Sequence, residues 1–485
     1  MKAAETITAG DMRRRIGVLA DDSLRGRDTP SPGLEAAAAY SVRELKVFGL
    51  QPAGDSGSYL QRYPSPITAL SEGDFRFELY SPRGRRTLRY GEDYLVQHGA
   101  PAAVTAGLVF IGSAGDSAGP LPGRLRDRVA VVSLSGRYDR QWRLNAGRAR
   151  RAAQAAGAVA IVFALDSTFG AEDRRALAER ISGPEGSLRG LSEIASYYLF
   201  APTAAALFRA ASLDFDEIHA RAVGGQNEPV PLPGVTARLN APVRTLEDAG
   251  PTNVVAVLPG SDPKLRDSYV VFSAHMDHVG VGQPDATGDS IYNGADDDAS
   301  GTSALIELAQ AYAALPRRPA RSLIFLAVSG EEKGLLGSRY FTDNPTIPLG
   351  RIVADINVDM IGRNASDSIV VIGQEFSSLG PLVQQVAGRH PELGLTVAPD
   401  LWPDEQFFFR SDHFNFARKE IPALFFFAGV HEDYHRPSDE VEKIDTDKAA
   451  RVVRLIFYTG YAIATEPEPP RWTQKGLSEV RALTR

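Results

Sequence analysis

Three consecutive carboxylates, Asp296, Asp297 and Asp298, stand in the stretch Gly294-Ala295-Asp296-Asp297-Asp298-Ala299-Ser300-Gly301. Like charges this close repel one another unless a cation neutralises them, and the preference of a helix start for acid explains only about one of the three. Four other short motifs supply groups of the same kind: His275-Met276-Asp277-His278, Glu331-Glu332, Asp359, and Tyr434-His435-Arg436-Pro437. All offer nitrogen or oxygen donors, a set that suits zinc, with manganese or cobalt as alternatives. Each motif alone has an ordinary explanation. A His-x-Asp is usually a hydrogen-bonded pair, and paired glutamates are usually a solvated helix start. Asp359 is more telling, because a charge directly after an apolar strand needs a partner.

The elements that must position these groups are readable around them. Residues 269–274 run into His275, 322–328 into Ser329-Gly330-Glu331-Glu332, 353–358 into Asp359, and 423–428 into Gly429 and on to His435. Each run is short and apolar, as a strand buried on both faces must be. Residues 254–258 read as a fifth strand, and 302–315 and 379–387 as helices between strands. Strands alternating with helices predict a wound α/β sheet, and such sheets bind ligands beyond the carboxyl ends of their strands. Four strands that each deliver an acid or an imidazole to one edge build a site.

Upstream, residues 11–19 and 33–45 read as helices flanking a polar turn, Leu24-Arg25-Gly26-Arg27, and residues 75–90 as a strand pair around Pro82-Arg83-Gly84. From about Pro101 the texture changes to a β-α-β module, with strands over 108–111, 129–134 and 159–164 and a helix over 145–156, closing near the proline-rich 229–233. The expected division is therefore 1–96 as the first part of the main domain, 97–232 as an inserted domain, and 233–485 as the remainder carrying the site.

Composition narrows the function classes. The chain has 485 residues, a net charge of −7 and mixed signs, which argues against a nucleic-acid partner. No apolar run reaches the roughly eighteen residues of a membrane span. The absence of cysteine removes thiolate nucleophiles and Cys-type zinc sites. Gly115-Asp116-Ser117-Ala118-Gly119 fits a serine nucleophile elbow in letters, but Pro120-Leu121-Pro122-Gly123 follows where that motif requires a helix.

Together, His275-x-Asp277, the Gly294–Gly301 stretch, Glu331-Glu332, Asn357-Val358-Asp359-Met360 and Tyr434-His435-x-Pro437-x-Asp439 resemble the M28 family of co-catalytic zinc peptidases. Leu24-Arg25-Gly26-Arg27 and Gly57-Ser58-Tyr59-Leu60-Gln61 fit the same family, and 97–232 resembles its protease-associated domain. The resemblance implies a zinc exopeptidase fold: a mixed, mostly parallel central sheet flanked by helices, with an inserted β-rich α+β domain. It implies two zinc ions, one held by His275 and Asp359, the other by Glu332 and His435, with Asp297 bridging. Glu331 would be the general base towards a metal-bridging hydroxide. Asp277 would orient the His275 ring through its carboxylate, and His413 would stabilise the oxyanion. His278 and His431 stand beside the motifs as second-sphere groups or bystanders. Phe407–Phe409, beside Trp402, would line a pocket, and residues 425–427 would be core.

The activity implied is that of an aminopeptidase acting on peptides or small proteins. A carboxypeptidase or dipeptidase on the same metal core is the alternative, with Arg410 available to grip a carboxylate. A non-catalytic receptor-like module conflicts with the full ligand set and base, and glutaminyl-cyclase-like acyl transfer with the two-metal pattern. The resemblance also implies a secreted or periplasmic protein that has lost its signal peptide, although residues 1–10 also fit a cytoplasmic start. Nothing in the residues points to a particular oligomeric state.

Overall fold

In a computed structural model, the chain is described over residues 1–70, 72–100, 102–114, 125–181, 185–186, 194–226, 228–248 and 250–484. The serine motif at 115–119 lies outside these. The chain forms two compact units, Met1–Pro64 with Gly250–Arg485, and Ser65–Ala249.

The first unit is built on a nine-stranded sheet. Four strands at its centre, in the order Ser322–Val328, Tyr269–His275, Ile352–Val358, Ala423–Phe427, run parallel to one another. Thr252–Leu258 joins one side and Ser368–Ile372 the other, both antiparallel to their neighbours. The central strands are buried along their length, in keeping with their unbroken apolar runs. One face packs on the helices Ala9–Leu19, Pro32–Val47, Gly301–Ala313, Leu379–Arg389 and Thr446–Thr465. The other face packs on Phe341 and Phe416, from the short helices Leu336–Asp343 and His413–Ala417.

Local sequence explains the main boundaries. Ser31 caps Pro32–Val47 by accepting from the Leu34 N–H, with Pro32 in the first turn. Gly301–Ala313 is apolar on nearly every side and is buried on nearly every side. Its one acid, Glu307, receives a hydrogen bond of 2.5 Å from Arg15 Nε, and Arg15 also pairs with Glu44. No helix among the described residues is long and apolar enough to cross a membrane.

The second unit has an eight-stranded sheet with a core on each face. The helices Ala201–Ala210 and Phe215–Val223 cover one face, and Arg140–Ala155 and Ala171–Ile181 the other. Its extent, 65–249, differs from the expected 97–232 at both ends. Arg76–Ser81 pairs with residues 236–240, and Tyr94–His98 with Ala195–Leu199, so ladder hydrogen bonds tie residues 76–98 into this unit. The composition shift near Pro101 marks a change within the unit and not its edge.

Candidate metal centre

The four parallel strands end on one edge, and register brings their last residues together. His275 lies opposite Val328, the residue three before Glu331, and Val358 lies opposite Phe426. Donor atoms converge there in two groups, His275, Asp297 and Asp359, and His278, Asp297, Glu332 and His435. Asp297 belongs to both. Its Oδ1 lies 3.3 Å from His275 Nε2, and its Oδ2 lies 3.1 Å from His435 Nε2. Asp359 Oδ1 is 3.6 Å from His275 Nε2, and Glu332 Oε2 is 3.1 Å from His435 Nε2. His275 Nε2, His435 Nε2 and Asp359 Oδ1 are buried and have no hydrogen-bond partner. Atoms so placed would be costly to leave unpaired, whereas metal ligation satisfies them, and nitrogen and oxygen donors suit zinc.

The three adjacent aspartates point to different partners, which is how the fold tolerates them. Only Asp297 faces His275, His278 and His435. Asp298 accepts from the backbone N–H groups of His275, Gly301 and Met360, and Asp296 accepts from Gly362 at 2.6 Å. A Cβ on Gly301 would come within 2.4 Å of the Asp298 carboxylate and 2.2 Å of the Val358 carbonyl, so this position admits only glycine.

Ligand orientation is set by a surrounding hydrogen-bond frame. The His275 Nδ1 faces the Asp277 carbonyl at 3.1 Å, whereas the Asp277 carboxylate is 3.6 Å away and instead accepts from the Glu331 N–H. Asp277 therefore faces the His275 ring with its carbonyl, and its carboxylate, expected from the sequence to orient that ring, stands 3.6 Å from the same nitrogen. A chain from Ser273 Oγ to Asn357, and from Asn357 to Ser411, ends with Ser411 donating to Asp359 Oδ2 at 2.9 Å. The fully buried Arg27 donates to the carbonyls of Met276, Asn293 and Gly294, and so ties the His275 loop to the aspartate loop. Its charge sits in the field of Asp277, Asp297, Asp298 and Asp439.

Residues 253–460 match the model of Peptidase family M28. That segment belongs to this family. All eight site residues expected from the sequence fall within the M28 segment. A "Probable zinc metalloprotease" of Pyricularia oryzae is 26% identical over 52% of this chain and 57% of its own length. "Leupeptin-inactivating enzyme 1" of Streptomyces exfoliatus is 28% identical over 41% of each. The chain spans 57%, 30% and 61% of the first three curated relatives. Among solved structures, an aminopeptidase from Aneurinibacillus sp. strain AM-1 superposes with TM-score 0.53 at 20% identity, covering 96% of both chains. The zinc aminopeptidase BSAP of Bacillus subtilis gives 0.51 at 18% identity, covering 95% of this chain and 96% of its own. At these identities the likeness concerns the fold.

A pocket opens on the M28 centre, lined by Asp297, Glu331 and Asp359 on one side and by Phe407, Phe425 and Phe427 with Arg410 and Tyr434 on the other. Phe407 lines it as expected. Phe425 and Phe427 line it too, while Phe426 points into the main core, the alternation a strand imposes. His413, expected to face a bound carbonyl, is not among the lining groups. Its ring is fully buried, stacked on Phe425 and edge-on to Phe408, and burial drives its pKa down to about 3. Besides the acids, Arg410, Ser411 and Tyr434 are the polar groups in the pocket lining. His431 is 3.4 Å from Asp296 and in neither donor group.

Electrostatics separates the acids. Burial opposes ionisation of Asp297, but the facing His278, His275 and His435 hold its carboxyl well below the usual range. Burial also opposes the charge on His435, and the Asp297 and Glu332 carboxylates overcome it, raising the imidazole to about 10. Glu331 goes the other way. Burial, reinforced by Glu332, Asp412 and Asp359 against the opposing His275, pushes its carboxyl well above the ordinary value.

Proposed function

We propose that this chain is a two-zinc exopeptidase, most simply an aminopeptidase that removes N-terminal residues from peptides. The observation that carries this reading is Asp297, whose two oxygens each face a different histidine and a different donor group. A carboxylate placed in this way can bridge two ions. His275 and Asp359 would hold one ion, and Glu332 and His435 the other. Bound zinc would supply Lewis-acid polarisation of the scissile carbonyl and would acidify a water molecule.

The chain's own residues then perform the proton work. Glu331, in the pocket beside Asp297 and Asp359, takes a proton from the attacking water and delivers it to the leaving amine. Burial and the neighbouring carboxylates raise its pKa, which makes it a stronger base than an ordinary glutamate. The apolar wall of Phe407, Phe425 and Phe427 would receive the side chain of the residue removed.

The named activity of the two superposed aminopeptidases supports amine over carboxylate recognition. A second reading, carboxypeptidase or dipeptidase, rests on Arg410, which lines the pocket. That guanidinium is already paired with Glu405 at 3.0 Å and lies over the Phe407 ring, which weakens its claim to a substrate carboxylate. The unit Ser65–Ala249 would be the protease-associated domain of this enzyme.

The test is zinc titration of metal-stripped protein, with Glu331→Gln in parallel. Turnover is expected to require two equivalents. The variant should retain both ions and lose turnover by ~10²–10⁴-fold, the usual worth of a general base. Full turnover in the variant would overturn the assignment of the base.

A further inference from the structure

The ligand set implied by the sequence is symmetrical: two side chains for each ion and one bridge, hence three donors at each position. The structure breaks that symmetry at His278. Its ring is fully buried, with Nδ1 2.9 Å from Glu332 Oε1 and 3.6 Å from Asp297 Oδ2. The same two carboxylates present Oε2 and Oδ2 to His435 Nε2, each at 3.1 Å. Four side chains thus converge, and one donor atom from each lies within 4.8 Å of the other three.

We propose that His278 is a fourth protein ligand to the ion held by Asp297, Glu332 and His435, so that this position is closed and the His275–Asp297–Asp359 position is the open one. The inference rests on the two-zinc reading above. Zinc bonds to nitrogen and oxygen of about 2.0–2.1 Å place the corners of a tetrahedron about 3.3 Å apart. The two imidazole nitrogens stand 3.1 and 3.6 Å from the shared Asp297 Oδ2, on either side of that value, and each faces its own oxygen of Glu332, Oε1 at 2.9 Å and Oε2 at 3.1 Å. A simple imidazole–carboxylate hydrogen bond to Glu332 would account for the shortest of these, but not for the approach of the same His278 nitrogen to Asp297 Oδ2.

Two further observations agree. The ring cannot easily swing away, because a Cβ on Gly294 would already stand 2.5 Å from it, and the His278 N–H is tied to the Arg27 carbonyl. The pocket, for its part, opens on Asp297, Asp359 and Glu331, and its lining includes none of His278, Glu332 or His435. A zinc ion with four protein donors behaves as a structural ion, whereas three donors leave a position for substrate. The two ions therefore differ in job. One anchors the bridge and the Glu332 loop, and the other, on the pocket side, meets the substrate.

The experiment is competition of the metal-stripped protein against a chromophoric chelator for Zn²⁺, with Co²⁺ absorption spectra in parallel, for wild type, His278→Ala and His278→Gln. Wild type should bind two ions of clearly different affinity, the tighter giving the intense bands of four-coordinate Co²⁺. Loss of an outer-sphere partner alone weakens a site by about 10–100-fold, so loss of a direct ligand should weaken the tight ion by ~100-fold or more and diminish those bands. The weaker ion should be unchanged. Circular dichroism of the metal-free proteins identifies a variant that has failed to fold, and the second variant then decides. Two ions bound by a folded variant with wild-type affinities and spectrum would overturn the assignment of His278. Fewer than two ions in wild type would instead overturn the two-zinc reading itself.

Discussion

Asp412 shows how much charge the site holds in reserve. It is fully buried, and its pKa is raised to about 7. Burial is the main cause, opposed by His275 and Ser338, with Asp277 and Asp359 adding repulsion. The sign follows from linkage. A carboxyl raised in the folded state contributes stability that is fully present below its unfolded value near 3.9 and is lost as pH climbs through about 7. In the metal-free protein, Asp412→Asn should therefore match wild type near pH 4 and melt at a higher temperature at pH 8. Melting curves across that range check this, and profiles that stay parallel would contradict it. At this scale the sequence was most informative where chemistry needs a residue type. His275, Asp297, Glu332, Asp359 and His435 were named from motifs, and the structure brings them together. His278, read as a second-sphere group or bystander, and His413, read as facing the bound carbonyl, could not be placed from sequence for a common reason. Each neighbours a motif, and only the fold shows that the first turns into the donor group while the second turns into a phenylalanine core.

Elements matter here because the ligands sit on loops after strands, and loops need fixing. Arg27 does this from the far end of the chain, clamping carbonyls on either side of the centre. Arg27→Ala would leave those carbonyls, and the carboxylates behind them, without their buried cation. Removing one partner from a buried charged network costs about 3–5 kcal/mol. The denaturation midpoint of the metal-free variant is expected to fall accordingly, with zinc affinity falling in step. A variant with wild-type stability and affinity would show that the clamp is dispensable. The polar Leu24-Arg25-Gly26-Arg27 turn was visible in the sequence, but the role was not, because its partners lie about 250 residues away in the chain. The buried strands were legible from their unbroken apolar runs. The helix Thr446–Thr465 was not assigned, although Asp445 caps it and its apolar residues recur at helical spacing. It lies beyond the last chemical motif, and its sequence signals are that cap and an ordinary amphipathic period.

At the scale of the whole molecule, the chain leaves its first unit at Pro64 and re-enters at Gly250. Leu60–Arg62 pairs with residues 252–254, and the Tyr63 N–H reaches the Pro251 carbonyl, so exit and return lie side by side. A second unit of this size can be accommodated there without disturbing the central sheet. Residues 76–98 declare their membership in it only through pairing with strands about a hundred or more residues downstream, which a composition shift does not reveal. Every residue assigned here to metal or proton work lies in the first unit. The proposed zinc-dependent aminopeptidase activity of this unit can be checked by hydrolysis of a panel of aminoacyl chromogenic substrates, each with a free and an acetylated amine. The zinc-loaded protein is expected to cleave only the free-amine forms, with apolar side chains preferred, and to lose that activity on chelation. Cleavage of the acetylated forms, or of neither by protein shown to carry its zinc, would contradict it.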